Sequence, residues 1–359
     1  MPSPIIPKAL EAGATIAFIS PSARLNDELP DVMKRATAVL SERGYQVRAF
    51  FNKDEGIQSG ISNRLSEIRA AFSDPTISAI ICTIGGPCFN ELLPALIADT
   101  ELHGIIRANP KIVVGYSDIS GLHWFLYAMT GLRTFYGPGA IPELGEVKST
   151  DYENSPLAFC IKHLFRAIAT REPLADIPRS LTYAPKEAPF FLDPPSTVLP
   201  DLAPSHPWTW IRRGKAQGRL FGGCLTVVAR LLGVQAIVPQ WKDRIVFVET
   251  AMGDTEAKGV PLGRVRAAFA DLIAAGVFEE AAGLVVGRAF GYDSEEAWQS
   301  YAGVIRELLC EGRLAEKKFP ILFNVDIGHT VPMVTLPYDA LAVLDSENDK
   351  FAIIESGVA

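Results

Sequence analysis

Over the first 140 residues, short apolar runs alternate with helical patterns. ATIAFIS, YQVRAFF, ISAIICTI and KIVVGYS read as strands, and the stretches around Asp31 to Arg43 and Ser62 to Phe72 read as helices between them. Strands that alternate with helices build βαβ units, and these feed a parallel sheet covered on both faces. An open α/β domain is therefore expected over residues 1–150. Two of its strands run into loops of unusual chemistry, Gly85-Gly86-Pro87 and Gly115-Tyr116-Ser117-Asp118. In open α/β sheets ligands bind beyond the carboxyl ends of the strands, which is where both loops lie.

From about residue 150 the periodicity dissolves, and KEAPFFLDPPSTVLPDLAPSHPWTW carries too many prolines for a long helix or a central strand. Residues 151–215 read as a long connection, and the aromatic content (Phe190, Phe191, Trp208, Trp210) favours an ordered segment that faces a ligand. A second pattern occupies 216–359. GRLFGGCL, RIVFVET, GLVVGRAF and PILFNVD read as strands, separated by helices at Thr226 to Leu232, Leu262 to Ala275 and Glu295 to Glu311. ALAVLDS and KFAIIES flank Glu347-Asn348-Asp349 as a hairpin. The second domain is thus mixed α/β with a β-rich core.

Composition narrows the classes. The 359 residues, 48% apolar and 21% charged, suit an ordinary globular protein of two domains. A net charge of −7 with scattered basic residues offers no footprint for a nucleic acid. The apolar runs fall short of the roughly 18 residues a membrane span needs, and the first residues lack the pattern of a secretory signal, so a cytoplasmic protein with no membrane partner is expected. Five cysteines (Cys82, Cys88, Cys160, Cys224, Cys310) without a CxxC pair argue against a disulfide framework or a zinc cluster. No metal or cofactor is expected.

Ser117 lies between a buried-type strand and the helical run DISGLHWFLYAM, on a sharp turn that would expose its hydroxyl. Ser117 or Asp118 could equally cap that helix, and Gly85-Gly86 could be a plain turn or an approach of backbone amides to a negative oxygen. A serine nucleophile needs a base. His103, His123 and His163 fall in or next to helices and His206 in the proline-rich connection, whereas His329 follows the strand PILFNVD. Glu249 ends the strand RIVFV, where a carboxylate either forms a salt bridge or fixes an imidazole tautomer. Arg230 and Arg288 could anchor an anion or serve in ion pairs.

At these residues the sequence resembles serine peptidase family S66, the LD-carboxypeptidases and their relatives the microcin C self-immunity proteins. The strings ATIAFISPSA, IGGPCFNELLPAL, VVGYSDIS, TFYGPGA, GRLFGGCL, VFVET and VDIGHTVPMVTLP occur in the family's order. The resemblance implies Ser117 as nucleophile, His329 as general base and Glu249 as its orienter, with the amides of Gly86 and Asp118 as oxyanion hole. It also implies a homodimer. Where murein-cleaving members carry Gly-Gly-Tyr-Gly, this chain has Gly85-Gly86-Pro87-Cys88, nearer the immunity branch; the usual Gly-Gly-Asn-Leu is here Gly222-Gly223-Cys224-Leu225. In that branch a loop tryptophan stacks on a nucleobase, for which Trp210, then Trp208, is the positional match. The resemblance therefore implies hydrolysis of a peptidyl or aminoacyl nucleotide amide, or removal of D-Ala from murein tetrapeptide. A silent protein that only binds such a ligand is the expectation from another class.

Overall fold

The structure, a computed structural model, describes residues 2–253 and 258–359. Its strands in chain order are β1 (Thr15–Ile19), β2 (Gln46–Phe50), β3 (Ile77–Cys82), β4 (Ile112–Gly115), β5 (Phe135–Tyr136), β6 (Ala175–Asp176), β7 (Thr182–Tyr183), β8 (Ala203–Pro204), β9 (Thr209–Arg212), β10 (Lys215–Cys224), β11 (Arg244–Glu249), β12 (Gly283–Gly287), β13 (Ile321–Val325), β14 (Leu336–Pro337), β15 (Leu341–Asp345) and β16 (Lys350–Ile353). They form a six-stranded sheet, β14-β5-β4-β3-β1-β2, an eight-stranded sheet, β6-β16-β15-β10-β11-β12-β13-β9, and the pair β7-β8.

In the first sheet β1 to β5 run parallel and only β14 runs against them. The order 2-1-3-4-5 reverses between β1 and β3, and a crevice opens at such a switch point beyond the carboxyl ends of the strands. In the second sheet β10 to β13 are parallel, flanked by antiparallel β15, β16 and β9. This is the expected pairing of an open parallel domain with a mixed, β-rich one. Central strands such as β4 and β11 are buried along their whole length, which explains their unbroken apolar sequences.

The two sheets share one apolar core. Where they meet, Trp124 donates to the Gly222 carbonyl and packs at 5.5 Å against Phe221, while Tyr127, Arg244 and Asp339 form a buried polar knot. Aromatic pairs of this kind contribute about 0.5 to 1.5 kcal/mol beyond area burial.

The connection holds one element that the proline-based reading passed over. Helix Pro156–Ala169 starts with Ser155 as N-cap, accepting from the Ala158 amide, and with proline at its first position. Proline there is a helix start, not a break. Beyond it the chain forms only the short β7-β8 pair and a single turn at Pro189–Phe191 before β9 joins the sheet edge. Among the described residues no helix is long and apolar enough to cross a membrane.

Candidate active site

β4 stops at Gly115, and Ser117 follows in a single tight turn with φ +63°. A non-glycine residue in this region costs about 1 to 3 kcal/mol, so its surroundings must impose it. Ser117 Oγ lies 2.9 Å from His329 Nε2, and His329 Nδ1 lies 2.7 Å from Glu249 Oε2. Glu249 is fully buried at the end of β11. His329 reaches it because position 328 is glycine: a Cβ there would sit 2.3 Å from the same carboxylate oxygen. A carboxylate on Nδ1 selects the tautomer whose Nε2 lone pair faces the serine, the arrangement needed to take its proton.

The loop after β3 closes the other side. Gly86 has φ +139°, and a Cβ would lie 2.7 Å from the Ala23 amide nitrogen, so this position requires glycine twice over. A Cβ on Gly85 would fall 2.6 Å from Ser117 Cβ and 3.3 Å from the Asp118 amide nitrogen. Its absence leaves space beside Oγ and that amide. The Asp118 side chain points away from this space and is completely buried. It accepts from Ser22 Oγ at 2.6 Å, from the Phe89 amide at 2.8 Å and from Arg230. Both arginines held open by the sequence are thus in ion pairs, Arg230 with Asp118 and Arg288 with Asp326.

Two tyrosines complete the shell. Tyr136 accepts from the Ser117 amide at 3.1 Å and donates to Glu249 Oε1 at 2.5 Å. Burial and the Glu249 charge hold its phenol well above the ordinary value, so it keeps the donated proton. Tyr116 sets its ring edge against His329 at 5.0 Å and donates to Glu143 at 2.8 Å. Burial pushes Glu143 up to about 6. Sequence reasoning missed all three, although Tyr136 lies in the quoted string TFYGPGA. Only the fold brings them to Ser117.

The other histidines are occupied elsewhere. His123 is buried between Thr134 and the Gly115 carbonyl and held down at about 4 by burial; His163 is likewise held at about 4. His103 meets the Leu96 carbonyl and His206 the Asp293 carbonyl. All five cysteines are free thiols, and burial pushes that of Cys224 up. Among the described residues no three His, Cys, Asp or Glu side chains cluster to hold a metal ion.

Ser117 and His329 open onto a cleft of about 370 Å³ whose walls include Gly85, Gly86, Tyr116, Lys186, Glu187 and Phe191. A larger cavity, about 960 Å³, lies apart from these groups beside helix Pro156–Ala169. The structure places neither expected tryptophan on the cleft. Trp210 sits on edge strand β9 and donates to Asp349, and Trp208 is buried beneath the Arg179 guanidinium at 4.1 Å. The physical reason is register: β9 pairs with β13 through Trp210 and holds it at the sheet edge, with Trp208 just before the strand, while Phe191, from the turn at Pro189–Phe191, lines the cleft beside Tyr116.

A serine, imidazole and carboxylate relay at the facing ends of two α/β sheets defines a hydrolase of the serine type. The comparisons then fix the family. Residues 16–137 match the LD-carboxypeptidase N-terminal domain and residues 217–344 the LD-carboxypeptidase C-terminal domain of peptidase family S66, and the chain belongs to that family. It is an S66 serine peptidase, similar to carboxypeptidases and microcin self-immunity proteins. A putative carboxypeptidase of Vibrio cholerae serotype O1 is 30% identical, covering 96% of each chain. The microcin C7 self-immunity protein MccF of Escherichia coli is 28% identical, covering 98% of this chain and 96% of its own. A solved structure of MccF in its wild-type apo state superposes with a TM-score of 0.83 at 25% identity, covering 99% of this chain and 100% of that one. MccF has also been solved in complex with aspartyl sulfamoyl adenosine.

Proposed function

We propose that the protein hydrolyses the amide of a peptidyl or aminoacyl nucleotide, with Ser117 as nucleophile, His329 as base, Glu249 as orienter and the amides of Gly86 and Asp118 as oxyanion hole. The observation that carries this reading is the unbroken relay of 2.9 and 2.7 Å between Ser117, His329 and Glu249 at the mouth of the cleft. His329 Nε2 takes the Ser117 proton as Oγ attacks the carbonyl carbon, and the carbonyl oxygen turns its negative charge to the two amides. Collapse breaks the C–N bond, and the imidazolium returns the proton to the leaving nitrogen. A water molecule, deprotonated by the same imidazole, then frees the acyl group.

The likeness to MccF along nearly the whole chain, together with Gly85-Gly86-Pro87-Cys88, supports the nucleotide amide as substrate. Phe191, not Trp210, supplies the stacking face in this reading, and Lys186 faces an anionic group of the ligand. The family's LD-carboxypeptidase description supports a second reading, release of D-Ala from murein tetrapeptide. The proposal also places the protein in the cytoplasm, consistent with its free thiols. It makes a second copy of the chain its partner, for which exposed Leu181, Leu192 and Val198 offer apolar surface.

Mass spectrometry of both substrates with wild-type and Ser117→Ala protein tests the assignment. Ser117-dependent release of aspartate from aspartyl sulfamoyl adenosine is the expected result. Release of D-Ala alone would move the protein to the second reading, and near wild-type turnover by Ser117→Ala would remove Ser117 from the mechanism.

A further inference from the structure

Ser117 holds a conformation that serine avoids, and both polar groups of its own backbone are tied to hydroxyls that reach the other sheet. Its amide donates to Tyr136, whose phenol donates in turn to Glu249 on β11. Its carbonyl accepts from Ser120 Oγ at 2.7 Å, and that hydroxyl accepts from the Cys224 amide at 3.1 Å, where β10 ends. We infer that Tyr136 and Ser120 are positioning residues that brace the strained Ser117 against the domain carrying its base and orienter. The inference rests on the reading of Ser117 as nucleophile.

Proton counting fixes the direction of the first brace. A phenol has one proton; because the Ser117 amide can only donate to it, that proton goes to Glu249 Oε1. Oε2 is left for His329, so both carboxylate oxygens are committed and the carboxylate cannot rotate away from the imidazole. Packing fixes the phenol itself. Its ring is fully buried, with edge contacts to Phe247 at 5.3 Å, Tyr116 at 6.2 Å and Tyr338 at 6.3 Å. The second brace is as close: a Cβ on Gly223 would lie 2.3 Å from Ser120 Oγ. Two hydroxyls thus make the backbone of Ser117 and the carboxylate behind His329 one hydrogen-bonded unit.

Loss of the phenol should therefore have two effects. The serine relaxes, and Glu249, freed of a competing donor, binds the imidazolium more tightly. Tyr116, Glu143, Cys224, Tyr301 and Tyr338 also face this pair, and Tyr136→Phe leaves all of them in place.

The test is the rate at which a fluorophosphonate labels Ser117 in the full chain, followed by mass spectrometry across the acid and neutral range. Tyr136→Phe is expected to slow labelling about 10- to 100-fold and to move its midpoint to higher pH. Ser120→Ala should slow it about 3- to 10-fold with the midpoint unmoved. Tyr127→Phe, which removes a buried hydroxyl from the Arg244 and Asp339 knot, should lower Tm and label at the wild-type rate. Wild-type rate and midpoint in Tyr136→Phe would overturn the inference, as would an equal slowing in Tyr127→Phe. Should Tyr136→Phe not fold, a wild-type rate in Ser120→Ala does the same. A folded wild-type protein that is not labelled at Ser117 would instead overturn the nucleophile reading itself.

Discussion

The seam around Ser117 and the strap of residues 180–205 face each other across one cleft but are built in opposite ways. In the seam Asp118 and Glu249 are fully buried, and every carboxylate oxygen of the two has a partner. The strap has two strands of two residues each, and it exposes Leu181, Leu192 and Val198 at 87%, 83% and 65%. It is pinned at a few points: Ser180 to Asp326, Ser205 to Arg288, and the Ala184 amide to the Val331 carbonyl at 2.7 Å. Regions with few buried contacts open and change at little expense in stability. On the proposed function, the chemistry is set in the part of the molecule that resists change, and ligand choice in the part that tolerates it.

Glu249→Gln strikes the seam hardest. An amide there offers His329 a donor where Nδ1–H needs an acceptor, so kcat should fall about 10³- to 10⁴-fold with KM nearly unchanged. Steady-state kinetics check this, and a loss below tenfold would mean that the carboxylate does not orient the base. Phe191→Ala probes the strap. Loss of a stacking face worth about 1 to 3 kcal/mol should raise KM for the nucleotide amide about 5- to 150-fold while kcat holds. If kcat fell instead, the strap would share in the chemistry and the contrast would fail.

The smallest effect concerns stability. Burial, with the nearby Glu143 charge, pushes Glu146 up to about 8 from an ordinary 4.5. Between these values the folded protein binds more protons than the unfolded chain, so stability falls as pH rises through that window. His123 and His163, held at about 4 against an ordinary 6.5, act the other way and raise stability with pH between those values. Glu146→Gln should flatten the decline between neutrality and pH 8 and steepen the rise between about 4.5 and 6.5, where Glu146 no longer offsets the two histidines. Urea midpoints at several pH values measure it; an unchanged slope would mean that Glu146 ionises in the folded protein as it does in the unfolded chain.

What was legible in the sequence follows from how local each signal is. β4 and β11 announce themselves as apolar runs that end in Gly115 and Glu249, and His329 stands just beyond another, β13. Tyr136 lies on a strand of two residues, too short for periodicity, and its partners are 19 and 113 positions away along the chain, in the turn after β4 and at the end of β11. The aromatic stretch was visible as a ligand-facing candidate, yet which ring turns inward depends on the pairing of β9 with β13. Composition holds no record of that register.

One short strand reaches beyond catalysis. β14, from the C-terminal half, is the edge of the N-terminal sheet, hydrogen-bonded to β5 beside Tyr136. During synthesis the ribosome releases Ser117 with its parallel strands early, and His329 and β14 roughly two hundred residues later. Until then the growing chain carries Ser117 with neither His329 nor a finished sheet, so under the proposed mechanism hydrolytic power arrives in a single late step rather than building up with length.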